Sequence, residues 1–83
     1  MSDHGWLKLD GSRGSYVEYK PGEGYCHVGW IFVPKNERGS GHAKEMIIQL
    51  LSTYAIVYAS SPTDHGFWDH IKEEFKGRVE TQS

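Results

Sequence analysis

Between Gly29 and Leu51 the spacing of apolar residues changes period, and that change constrains the fold more than any other feature of the chain. Gly29-Trp30-Ile31-Phe32-Val33 is an unbroken apolar run, the mark of a strand. A charged loop, Pro34-Lys35-Asn36-Glu37-Arg38, leads to Gly39-Ser40-Gly41. Beyond it Ala43, Met46, Ile47, Leu50 and Leu51 recur at i, i+3, i+4, i+7 and i+8, the stripe of a helix buried on one face. A strand feeding a glycine loop and a helix N-terminus makes an anion cradle. The first-turn N–H groups point outward unpaired, the helix dipole favours negative charge, and glycine lets a phosphate reach the backbone. Two glycines before a helix also serve as a plain tight turn. The P-loop Gly-Lys-Ser/Thr and the third glycine of a dinucleotide fold are both absent.

Other segments read around this centre. Trp6-Leu7-Lys8-Leu9 alternates and ends at the turn pair Asp10-Gly11, as a first edge strand would. Ser15 to Tyr19 is rich in β-formers, and Pro21-Gly22-Glu23-Gly24 reverses the chain. Tyr25 to Val33 is the longest strand candidate, apolar on both faces as a central strand is. A helix is expected over residues 41–52, then a strand over 54–59 parallel to the long one, because the crossover is long enough for that pairing. Ser61-Pro62-Thr63-Asp64 has the cap, first-turn proline and acid of a helix start. Phe67, Trp68, Ile71 and Phe75 give that helix an apolar face as far as Lys76-Gly77. The expected fold is α/β with a mixed sheet, in the order β-β-β-α-β-α. It forms one domain over 1–83, with a core at about 13–76 and a polar tail at 77–83.

Size and charge narrow the function. An 83-residue domain has a thin margin of buried surface, so its eleven Trp, Tyr and Phe residues are expected to build an aromatic-rich core. A net charge of −2 leaves no electrostatic footprint for nucleic acid or an anionic membrane. Cys26 is the lone cysteine, so no intrachain disulfide forms. The five histidines lack paired ligand spacing, so no metal is expected. No basic start or long apolar run suggests a leader or a membrane span, and a cytoplasmic location is expected.

Arg38-Gly39-Ser40-Gly41-His42-Ala43, with the strand ending at Val33 before it, resembles the Arg/Gln-x-x-Gly-x-Gly/Ala motif of the GNAT superfamily, the acetyl-CoA-dependent N-acetyltransferases. The resemblance covers roughly residues 13–76. It implies a minimal GNAT-like fold in which the family's N-terminal strand and helix pair has no counterpart longer than Trp6 to Leu9 and the C-terminal strand pair is missing. It implies acetyl-CoA as cosubstrate, its pyrophosphate on the backbone of Arg38, Gly39, Ser40, Gly41, His42 and Ala43 with Lys44 nearby. Pantetheine would run along the strand at Ile31, Phe32 and Val33.

Acetyl transfer to an amine needs a base for the amine and a proton donor for the leaving thiolate. Histone-acetylating members carry a Glu six residues before the strand-ending Val, and that count falls here on His27, whose imidazole can accept a proton at neutral pH. Glu18 is the reserve base. Where the family often has a proton-donating Tyr, Trp68 stands, and an indole cannot serve. Tyr58 and His65 are the substitutes. Cys26 reads as core rather than nucleophile.

The function implied is N-acetyl transfer from acetyl-CoA to an amine, with a protein lysine as acceptor because no helices wrap a small amine. A homodimer is the other way to complete such a site. The alternative is a degenerate member that binds CoA or a protein partner without catalysis. An unrelated α+β module with a simple glycine turn is a third reading.

Overall fold

The computed structural model describes residues 5–9, 13–39, 41–60 and 65–82. Its elements are β1 (Gly5–Lys8), β2 (Tyr16–Pro21), β3 (Tyr25–Phe32), α1 (His42–Thr53), β4 (Ile56–Ser60), α2 (His65–Glu74) and β5 (Val79–Gln82). They form one five-stranded mixed sheet in the order β1-β2-β3-β4-β5. β1, β2 and β3 pair antiparallel, and β3, β4 and β5 pair parallel. The fold is therefore mixed α and β, with the expected order β-β-β-α-β-α followed by one more strand. The start foreseen for the second helix, Ser61 to Asp64, lies outside the described residues. No helix among the described residues is long and apolar enough to cross a membrane.

The added strand corrects the expected tail at 77–83. Gly77 turns the chain at φ 87°, as its place past a helix end favours, and Val79 then buries itself in the core. Val79 to Gln82 pairs with Val57 to Ser60. Backbone pairing recruits a segment with a single apolar side chain, which no periodicity announces.

Both helices lie on one face of the sheet. Met46, Ile47, Leu50 and Leu51 of α1 and Trp68 and Ile71 of α2 share one core with Val17, Cys26, Val28, Val57, Ala59 and Val79. Two parallel crossovers running the same way along a sheet put their helices on the same side, since each follows the right-handed rule. The core is accordingly aliphatic. Trp68 is its one buried aromatic, with Tyr19, Tyr54, Phe67 and Phe75 partly buried against it, so rings flank an aliphatic centre rather than fill it. Trp6, Tyr25, Trp30 and Phe32 are instead exposed, and Trp6, Trp30 and Phe32 stand on the other face of the sheet.

One backbone irregularity decides which residues face which side. Glu18 pairs with Trp30, but Tyr19 pairs with Val28, so Gly29 is an extra residue in β3. This β-bulge shifts side-chain parity by one. Cys26 and Val28 below it, and Ile31 and Val33 above it, all point to the helices, whereas His27, Trp30 and Phe32 point away.

Candidate ligand-binding cleft

Pairing between β3 and β4 ends at Val28 opposite Ala59, although β3 runs on to Phe32. Past that point the β4-facing edge of residues 29–32 has no strand partner among the described residues. A cleft of about 740 Å³ opens there. The upper half of β3, Glu37, Arg38, Gly39 and Gly41 of the loop, the first turn of α1, Ala59 and the α2 residues Phe67, Trp68, His70 and Ile71 line it. Its size falls within the range of about 300–1,000 Å³ usual for small-molecule sites.

The loop is held by short local bonds. Glu37 N–H donates to Pro34 O at 2.9 Å, and the Arg38 side chain donates through Nε to Val33 O at 3.1 Å, tying the loop back to the strand end. The Glu37 carboxylate accepts from Arg13 N–H at 3.2 and 3.3 Å. His42 Nδ1 lies 3.9 Å from Glu37 Oε1, in ion-pair range but beyond a hydrogen bond, and it is buried without a hydrogen-bond partner.

Gly39 and Gly41 have φ of 86° and 85°, a region costly to residues with a Cβ, and nothing lies within 4 Å of where that Cβ would stand. The backbone geometry, not crowding, calls for glycine, and the space above the loop stays open. Gly41 is the N-cap of α1 and offers no capping side chain, while the helix ladder begins with Glu45 N–H to Gly41 O at 2.9 Å. The amides of His42, Ala43 and Lys44 precede that first rung, so no helical carbonyl satisfies them. Lys44 bridges from α1 to Glu74 on α2, and His70 approaches Glu74 at 3.6 Å.

The sequence-derived candidates fall into two groups. Ile31, Phe32, Val33, Arg38, Gly39, Gly41, His42, Ala43 and Lys44 all line the cleft. Ser40 lies outside the described residues, as does the His65 side chain. The three candidate catalytic residues sit on the open face of the sheet instead. His27 and Tyr58 are directly opposed in the β3–β4 register, one step below the last pair, with ring centroids 5.7 Å apart. Glu18 stands across β2 with its carboxylate over the bulge, Oε1 being 3.7 Å from the site a Gly29 Cβ would fill. Trp68 is buried, as a core residue is. Burial pushes the Cys26 thiol up to about 11, which leaves it protonated and inert as a nucleophile. Glu37, Ala59, Phe67 and His70 line the cleft without having been singled out. Phe67 has a sequence signal in the apolar face of α2, but only the crossover brings that face to the glycine loop.

No family model, curated protein or solved structure matches this chain.

Proposed function

We propose that this chain is a minimal GNAT-type N-acetyltransferase, which takes acetyl-CoA in the cleft and passes the acetyl group to an amine, a protein lysine being the acceptor. The observation that carries the proposal is the parting of β3 and β4 directly above a glycine loop whose helix amides are uncapped. A diphosphate suits those amides, because they offer unpaired donors at the positive end of the helix dipole. A pantetheine arm suits the free edge of residues 29–32, because it carries amides that pair like a strand. Such a ligand would bring its thioester towards the gap between β3 and β4.

The reaction forms a C–N bond at the thioester carbonyl and breaks the C–S bond. The amine sheds a proton and the thiolate takes one up. In this reading His27 accepts the amine proton, with Glu18 in reserve, and Tyr58 supplies the thiolate. The acceptor arrives from the open face, where His27 and Tyr58 meet.

A second reading has its own support. With Trp68 buried and unable to donate a proton, the chain would bind CoA or a protein partner without turnover. Two experiments divide the readings. Calorimetry is expected to show acetyl-CoA binding that Gly41→Glu abolishes and Gly41→Asn, which tolerates positive φ, largely keeps. Equal binding by Gly41→Glu would remove the site. Thiol release with a panel of amines then separates transfer from binding alone.

A further inference from the structure

The open face of β1, β2 and β3 is organised in two rows. Across the strands the first row is Trp6, Glu18 and Trp30, and the second is Lys8, Tyr16 and Phe32, each set directly paired in register. Directly opposed residues project on the same side of a sheet. The rings stack diagonally and across: Trp6 to Tyr16 at 5.4 Å, and Tyr16 to Phe32 at 5.7 Å. Even so, Trp6 is 58% and Trp30 54% exposed, and Phe32 is 37% exposed. No basic side chain among the described residues forms an ion pair with Glu18.

We infer that this face is the interface with a second copy of the chain. Sheets that stack face to face keep their strands nearly aligned, about 10 Å apart. Place a two-fold axis in the plane between two such sheets, across the strands and between the two rows. It lays the first row of one copy over the second row of the other. Trp6 then covers the partner copy's Lys8, a cation on an indole face. Glu18 meets the partner copy's Tyr16 hydroxyl and neighbours its Lys8, and Trp30 packs on the partner copy's Phe32. Every contact occurs twice, as an isologous interface demands.

The charges select this occupant. A carboxylate in the middle of the aromatic platform repels a nucleic-acid strand, which would otherwise suit exposed rings on a sheet. The same face carries Lys8 and Lys20, so it complements itself better than it complements a uniformly basic or acidic partner. Area agrees. The three exposed rings offer on the order of 350 Å² of apolar surface, and the neighbouring Lys8, Tyr16, Glu18 and Lys20 bring the patch near the roughly 800 Å² per partner of a standard interface.

The consequence for the cleft rests on the acetyl-transfer reading, whereas the dimer itself does not. Trp30 and Phe32 both line the cleft and belong to the face, so the second copy closes one side of its mouth. His27 and Tyr58, towards β4, are left at the rim, where an acceptor still reaches them.

Sedimentation equilibrium of the full chain, without acetyl-CoA and over a wide concentration range, tests the dimer. A reversible dimer is expected, with dissociation about tenfold weaker in Glu18→Lys and in Lys8→Glu. The double variant Glu18→Lys/Lys8→Glu should return to within about threefold of the parent, since it restores opposite charges across the interface. Trp6→Ser, at an exposed position, should be folded by circular dichroism and monomeric. A parent that stays monomeric throughout overturns the proposal, as does a dimer indifferent to both single charge reversals or one that the double variant fails to restore.

Discussion

At the scale of single residues, Cys26 and His27 are chain neighbours with opposite fates, because successive strand residues face opposite ways. Cys26 is wholly buried, and its thiol is raised from 9.0 to about 11 by desolvation. Below pH 9 the thiol is protonated in folded and unfolded chains alike, and its contribution to stability is complete. Between 9 and about 11 the unfolded chain ionises and the folded one does not, so stability falls as pH rises. The loss is at most roughly 2 to 3 kcal/mol. Urea unfolding of the parent and of Cys26→Ala at pH 8 and pH 10.5 checks this, with the parent expected to lose about 2 kcal/mol more than the variant. Parallel losses would refute it. His27 carries a kinetic prediction. If it takes the amine proton, His27→Ala should lower kcat about 10²-fold or more and flatten the acidic limb of the pH–rate profile. An unchanged limb would leave His27 as the packing partner of Tyr58 and nothing more.

Among the elements, the least conspicuous residue in sequence holds three of them together. Arg78, just before β5, donates from Nη2 to Leu51 O at 2.7 Å and to Tyr54 O at 3.4 Å, and from Nε to Ala55 O at 3.1 Å. It thereby caps the C-terminal carbonyls of α1, complements the negative end of that helix, and fixes the turn into β4. Arg78→Ala should cost about 1–2 kcal/mol, the value of a few partly exposed charge-assisted bonds, read as a lower urea midpoint. Arg78→Lys should recover less than half, because an ammonium cannot span three carbonyls as a planar fork does. An unmoved midpoint in Arg78→Ala would show that β5 docks through Val79 alone. The exposed bridge between Lys44 and Glu74 should matter much less to stability, about 0–1 kcal/mol.

For the molecule as a whole, a single helical layer covers one side of the sheet and leaves the side that carries His27 and Tyr58 without a layer of its own. A shallow surface binds a small amine poorly, whereas a protein substrate contributes contacts remote from its reacting lysine. On the acetyl-transfer reading, the ratio kcat/KM should therefore rise from free polyamine to lysine peptide to folded protein. Efficient acetylation of a free polyamine by a monomer would sink that expectation. Much of this architecture is legible in the chain. The period of Ala43 to Leu51, the β-formers of Tyr25 to Val33 and the glycines before the helix are local demands, and local demands survive folding unchanged. The described glycine-loop candidates and Ile31, Phe32 and Val33 meet in one cleft for that reason, whereas His27, Tyr58 and Glu18 do not line it. Other features depend on neighbours. The bulge at Gly29 exists only in the pairing of β2 with β3, and it turns His27 away from the helices. The strand at Val79 to Gln82 exists only because β4 offers it a free edge. Ring-rich composition says that large apolar surfaces must go somewhere, but the direction of two crossovers decided that the helices share one face and the tryptophans of β1 and β3 stand on the other. The sequence by itself determined both helices, the first four strands and the glycine turn before α1, since backbone propensity and apolar period act over a few residues. Only the tertiary structure decided which face is covered, because side-chain parity and layer order are properties of strands paired across the whole sheet.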